Sequence, residues 1–227
     1  MVSDNSSIHD DIRFIPLSLA HHSSREVAAL IYESAPELFT VVYGPWAISC
    51  LTKFVERSHN RFGHQYIRVA EKAQRVVGIV TLLPVLHPDD DTDGPAVLSR
   101  GQRLWLKLLD RLILRHVLHR DYPPGSFYVG NLAVAAEYRN QGIGRQLLSQ
   151  CINDAVVASR PIYISVDIHN PRAQKLYESL GFQVIATNTI TILGTAVGSR
   201  TLFLEHPSKD MEGTRNASST SPPQFET

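Results

Sequence analysis

Cysteine is scarce: Cys50 and Cys151 are the only two in 227 residues. Two thiols without metal-ligand spacing cannot build a disulfide framework, so free thiols in a reducing compartment are expected, the cytoplasm with the nucleus left open. Neither sign of charge is in excess, because Lys plus Arg and Asp plus Glu number 22 each. A nucleic-acid binder usually carries a basic surplus, so no nucleic-acid partner is expected. Long apolar runs are missing as well. The longest candidate, Leu104 to Leu118, is interrupted by Lys107, Asp110, Arg111 and Arg115, which excludes a membrane-spanning helix there. Met1 to Asp11 has neither a basic nor an apolar stretch of the secretory kind, and no signal is expected. The ten histidines contain no H-x-x-x-H or H-E-x-x-H arrangement, so no metal is expected.

A chain that is 43% apolar and 19% charged can build one sizeable core. Residues 1–10 read as a flexible leader, 11–206 as one folded domain, and 207–227, rich in Ser, Thr and Pro, as a disordered tail. Within the domain, Asp11 to Leu17 reads as a strand. Ser23-Ser24-Arg25-Glu26 reads as a helix start capped by a serine hydroxyl, and Val27, Leu30 and Ile31 follow at helical spacing. A second helix is expected over Pro45 to Ser58. Tyr66 to Ala70 and Val76 to Leu83, separated by Glu71 to Arg75, form a hairpin pattern. Residues 84–97 read as a Pro/Asp loop. Ser99 to Arg120 reads as one long helix, Phe127 to Val134 as a strand, Gly142 to Ser159 as a helix and Ile162 to Asp167 as a strand. Asn170 to Leu180 follows as a helix closed by Gly181. Two last strands lie within Phe182 to Ile192 and Arg200 to Leu204. This order predicts an α/β sandwich: a mixed, mostly antiparallel sheet of about seven strands flanked by helices.

Two segments carry chemistry. Arg139-Asn140-Gln141-Gly142-Ile143-Gly144 lies between a strand and a helix. A glycine turn there aims backbone N–H groups and the positive end of a helix at one spot, which suits a phosphate or pyrophosphate. An ordinary strand-to-helix turn is the plainer alternative. The segment has neither the Lys-Ser/Thr of a P-loop nor G-x-G-x-x-G. The second segment runs from Asn170 to Phe182. Asn170 suits an N-cap, Pro171 the first helical position and Gly181 the position after the helix end. Asn170 and Tyr177 fall nearly on one helix face, about 10 Å apart at ~1.5 Å per residue. Capping and core packing are their plain roles.

Together, in this order, the strand Asn131-Leu132-Ala133-Val134, the turn and the Asn170…Tyr177…Gly181-Phe182 helix resemble the GCN5-related N-acetyltransferase (GNAT) superfamily. The resemblance follows element order from Asp11 to Leu204 and is specific over Phe127 to Phe182. It implies an acetyl-CoA-dependent N-acetyltransferase acting on a primary amine of a small molecule or peptide by direct attack in a ternary complex. It implies that the turn residues Arg139, Asn140, Gln141, Gly142, Ile143, Gly144 and Arg145 hold the pyrophosphate. Leu132, Ala133 and Val134 would pair with the pantetheine arm, Asn170 would bond that arm, and Tyr177 would protonate the leaving thiolate as general acid. The strand positions where some members of that family carry a Glu or His as general base are Tyr128 and Gly130 here, neither suited to that role at neutral pH. Asp167, His169 and Glu37 are the remaining candidates for a general base, with a water path open.

Two other patterns compete with this reading. A non-catalytic acyl-CoA-binding module would keep the pocket without the chemistry. The basic helix at 99–120, with Arg100, Arg103, Lys107, Arg111, Arg115 and Arg120, reads as an insertion whose other face, Leu104, Trp105, Leu108 and Leu112, packs onto the domain. It could instead border the acceptor site, form a homodimer contact or meet a membrane surface or peptide. Asp89 to Gly94 matches half of a calcium loop, but Arg100 stands where the closing Glu belongs, so it reads as a solvated acidic loop. The sequons at Asn5 and Asn216 carry little weight without a signal.

Overall fold

A computed structural model describes residues 12–85, 92–118, 122–192 and 194–205. The leader, the tail, both sequons, Arg120 and Asp89 to Asp91 of the acidic run lie outside these residues. The elements are β1 (Arg13–Pro16), α1 (Ser24–Ser34), α2 (Pro36–Tyr43), α3 (Ala47–Val55), β2 (Ile67–Lys72), β3 (Arg75–Pro84), α4 (Gly94–Val97), α5 (Arg100–Leu109), α6 (Arg115–Val117), β4 (Phe127–Val134), α7 (Ile143–Val157), β5 (Ile162–Asp167), α8 (Pro171–Glu178), β6 (Gln183–Ile192) and β7 (Thr195–Leu204). A wide π-helical turn, Asp110–Leu114, joins α5 to α6.

The strands form one seven-stranded sheet in the order β1-β2-β3-β4-β5-β7-β6. Every neighbouring pair is antiparallel except β4 with β5, which is parallel. This is the mixed sheet that the order of elements predicts. One apolar cluster gathers α1, α2 and α3 against one face of the sheet. The other places α7, through Ile143, Leu147, Leu148, Cys151 and Ala155, against the opposite face. Gly78 makes this docking tight: a Cβ there would stand 3.2 Å from Leu147 Cδ1 and 3.3 Å from Ile143 Cγ2. Arg68 of β2 adds a bond from Nε to Asp154 Oδ2 of α7 at 2.9 Å.

Several local expectations are corrected. The helix α2 is an addition to the expected elements, with Pro36 at its first position and Glu37 in its first turn as start signals. The β-rich residues Thr40 to Tyr43 mask them. The second helix starts at Ala47, after a tight turn at Gly44–Trp46. The β2–β3 turn narrows to Ala73-Gln74, both at positive φ (48° and 62°), although neither residue favours that region. The 84–97 loop ends in a helical turn, α4, and Asp93 accepts bonds from the His59 N–H at 2.8 Å and Asn60 Nδ2 at 2.9 Å instead of facing water alone. Strand β7 begins at Thr195, so residues 195–199, which fall outside the two last strands expected, are paired with β6. The long basic helix packs the opposite way from expectation. Leu109, Leu114 and Val117 are buried, whereas Leu104, Trp105, Leu108 and Leu112 face outward.

A buried polar cluster pins the edge strand. Glu71 accepts from Arg13 and, at 3.0 Å, from His22 Nε2, while the Ser18 N–H donates to His22 Nδ1 at 3.0 Å. Nδ1 therefore accepts and Nε2 carries the proton. The bonds from His22 and Arg13 hold the Glu71 carboxyl below its ordinary value, against the opposing effect of burial. A depressed folded-state pKa contributes stability above the unfolded value, and that stability disappears as pH falls through the folded value. Glu71→Gln should cost about 1–2 kcal/mol at neutral pH. In denaturant titrations the difference from the parent chain should shrink below about pH 4.

Candidate active site

The parallel pair β4–β5 holds register only from Phe127↔Ile162 to Val129↔Ile164. Beyond that point β5 pairs with β7 alone, and among the described residues no strand pairs with Gly130–Val134 on its β5 side. A bulge accompanies the split. Leu82 faces Val129 and Val80 faces Leu132, so Gly130 and Asn131 together oppose Thr81. The Asn131 N–H donates to Thr81 Oγ1 at 2.7 Å. Past the bulge, the Ala135 N–H bonds the Val77 carbonyl of β3. In an antiparallel ladder, alternate residues bond the same neighbour, so Ala133 also faces β3. Leu132 and Val134 then present their backbone groups to the open side. The Val134 carbonyl accepts from Arg139 Nε at 2.9 Å.

A cleft of about 490 Å³ occupies this split. Its walls include Leu132, Ala133 and Val134 of β4, Tyr138 to Asn140 and Gly142 to Arg145 at the start of α7, and Asn170, Ala173 and Tyr177 of the α8 segment. The N-cap of α7 is Gly142 at φ 80°, a left-handed conformation that glycine adopts without strain. It supplies no side-chain acceptor, so the first-turn N–H groups of this 15-residue helix are left for an outside partner. Arg139, Arg145 and Arg172 surround the same end, against one lining carboxylate, Glu33, which pairs with Arg139 at 3.1 Å. An extended, apolar-and-amide ligand with phosphates at one end fits this combination of open strand edge, uncapped helix end and guanidinium groups.

Most of the residues singled out from the sequence meet here. Asn170 caps α8, its Oδ1 accepting the Ala173 N–H at 3.0 Å, and keeps its NH2 turned to no other described group. Tyr177 is buried yet lines the cleft. Burial, with a smaller contribution from nearby Tyr128, raises its hydroxyl pKa above the ordinary value, so it stays protonated at any working pH. Gln141 is outside the lining and donates to the Glu137 carbonyl at 3.3 Å.

The three candidates for a base stand apart from the cleft lining. Asp167 Oδ1 accepts the His169 N–H at 2.7 Å, His169 Nε2 meets the Ala196 carbonyl at 2.9 Å, and Glu37 is exposed at the start of α2.

Sequence reasoning missed Glu33, Ser34 and Arg172. Ser34 Oγ accepts from Asn131 Nδ2 at 2.7 Å and ties the end of α1 to the bulge. Arg172 bonds Asn140 Oδ1 and joins α8 to the turn. The signal for Arg172 is local, since it is the second residue of α8 and lies two residues after the cap Asn170. Glu33 and Ser34 come from distant sequence, and only the fold brings them in. Tyr128, one of the strand positions considered for a base, belongs to an aromatic cluster, with Tyr122 at 4.7 Å between ring centres.

Comparison with known proteins agrees with this architecture. An N-acetyltransferase from Staphylococcus aureus Mu50 superposes with a TM-score of 0.64 at 17% identity, over 85% of this chain and 100% of that one. A GNAT family acetyltransferase from Elizabethkingia anophelis with acetyl-CoA bound gives 0.50 at 16% identity, over 86% and 99%. At such identities the likeness is one of fold. An uncharacterized protein of Mycobacterium leprae (strain TN) is 40% identical over 63 residues, 28% of this chain and 17% of that protein, so the match spans a small part of that relative's length. Residues 28–182 match the Acetyltransferase (GNAT) family, from the middle of α1 through the α8 segment. The chain belongs to the GNAT family of acetyltransferases.

Proposed function

We propose that this protein is an acetyl-CoA-dependent N-acetyltransferase that transfers the acetyl group directly to a primary amine, in a cytoplasmic setting. The observation that carries the reading is the strand edge opened at Gly130–Val134 and ending at the uncapped N-terminus of α7. The acetyl-CoA seen with the Elizabethkingia relative supports the same assignment. The first-turn amides of α7 with Arg139, Arg145 and Arg172 hold the phosphates. The amides and carbonyls of Leu132 and Val134, with the free NH2 of Asn170, bond the pantetheine arm. The thioester supplies an activated acetyl group. The Leu132 N–H polarises its carbonyl as negative charge develops on the oxygen. Tyr177, kept protonated by burial, gives its proton to the departing sulfur. Among the described residues Glu33 is the one acid in the lining and Arg139 already holds it, so the amine's proton leaves through water.

Direct attack is favoured over an acyl-enzyme because both thiols are buried and protonated. Desolvation pushes Cys151 up to about 12 and raises Cys50 as well. Release of CoA thiol from acetyl-CoA, followed across a panel of small amines, polyamines and peptides, tests the reading. Release that depends on one class of amine is expected. Folded protein that binds acetyl-CoA yet gives no acceptor-dependent release would instead be a non-catalytic acyl-CoA module.

A further inference from the structure

The helical run from Arg100 to Val117 buries Leu109, Leu114 and Val117 and leaves four other large apolar side chains exposed. Leu104 is 71% exposed, Leu112 60%, Leu108 48% and Trp105 46%. The leucines repeat every four residues. Lys107, Arg111 and Arg115, all exposed, repeat with the same spacing, each three residues after a leucine, so a cationic row lies beside the leucine row. In an α-helix a four-residue repeat drifts around the axis, because a turn holds 3.6 residues. The wide turn at Asp110–Leu114 holds more residues per turn and keeps both rows in line. Arg100 extends the positive charge at the helix start, and Asp110 is the one carboxylate in the run.

We propose that this face binds an anionic lipid surface, with the helix lying in the headgroup plane. Leucines beside a cationic row, with flanking tryptophan, are the composition that such helices use. The cations match the negative charge of the cytoplasmic leaflet. The Trp105 Nε1–H donates to the Val41 carbonyl at 2.9 Å, so the indole has its polar group satisfied internally and can present apolar ring to lipid. Val41 itself, 50% exposed, continues the apolar surface onto α2. A second copy of the chain is a poorer occupant, since it would bring another cationic row with a single carboxylate to answer it. A helical peptide requires a groove, and a leucine that is 71% exposed does not line one. None of these side chains lines the β4–β5 cleft, so the proposal does not depend on the transferase reading.

The test uses the full chain with vesicles of phosphatidylcholine alone or rich in phosphatidylserine. Both tryptophans, Trp46 and Trp105, are exposed and serve as reporters. Sedimentation with the phosphatidylserine vesicles, a blue shift of tryptophan emission and weakening at high salt are expected. Two triple variants separate the contributions: Leu104→Ser with Leu108→Ser and Leu112→Ser, and Lys107→Gln with Arg111→Gln and Arg115→Gln. Each should weaken vesicle binding at least ~10-fold. All six side chains are exposed, so both variants should keep the parent's circular dichroism and its acetyl transfer to a soluble amine. Absence of binding to phosphatidylserine vesicles, equal binding to both kinds, or binding that survives both variants would overturn the proposal. So would self-association abolished by the leucine variant, which would give the face to a second copy, or capture of an acidic helical peptide without vesicle binding.

Discussion

Tyr177→Phe should lower the turnover number for acetyl transfer about 100-fold while changing acetyl-CoA affinity by no more than about two-fold. The substitution removes one oxygen from a ring that is 6% exposed and leaves the packing of that ring, including its tilted contact with Phe182 at 6.3 Å, in place. No described residue bonds the hydroxyl, so its loss leaves no protein group without a partner. What disappears is the proton for the leaving sulfur. Without it the sulfur must depart as an anion beside a buried ring, and a factor of 100 corresponds to about 2.7 kcal/mol of transition-state stabilisation. Because burial raises the hydroxyl pKa, the parent enzyme should show no alkaline decline in turnover from this group up to about pH 10. Pre-steady-state release of CoA thiol, measured beside equilibrium binding of acetyl-CoA, separates the two effects. An unchanged rate would remove Tyr177 from the chemistry and leave it a packing residue.

Much of this site was legible because its parts are local in sequence. The turn Arg139–Arg145 and the cap Asn170 each declare themselves through backbone requirements: glycine where φ is positive, a side-chain oxygen where N–H groups need an acceptor. The split between β4 and β5 was less legible. It depends on a bulge at Gly130–Asn131 stabilised by Thr81, fifty residues earlier; the isolated Gly130 hints at a bulge, but its partner Thr81 comes from distant sequence. Glu33 and Ser34 enter the cleft for the same non-local reason. The basic helix failed for another cause. Periodicity identifies an apolar stripe, but it cannot say which stripe turns inward when a helix carries two. Leu109 and Val117 won the core, and Leu104, Leu108 and Leu112 were left outside.

The sharpest separation of folding from binding comes at Gly144. Its conformation lies outside the left-handed region, and a Cβ there would meet Val134 Cγ2 at 3.7 Å and Leu176 Cδ2 at 4.0 Å, ordinary contact distances. A side chain is therefore tolerated by the fold. It would project between β4 and α8, from a residue that lines the cleft in the first turn of α7. In Gly144→Asp the carboxylate occupies the place offered to phosphate and satisfies the same N–H groups. Helix propensity and the favourable meeting of a negative charge with a helix N-terminus both act to stabilise the folded chain, by about 0.5–1 kcal/mol together. Binding moves the other way. The carboxylate repels the incoming phosphates and removes their donors, so the dissociation constant for acetyl-CoA should rise at least ~100-fold, about 2.7 kcal/mol. Thermal unfolding without ligand, paired with calorimetric titration of acetyl-CoA, reads both signs. A variant with raised midpoint and abolished binding places the anion at the α7 terminus. A variant that binds as the parent does would show that phosphate sits elsewhere, and the uncapped amides of α7 would then need a different partner.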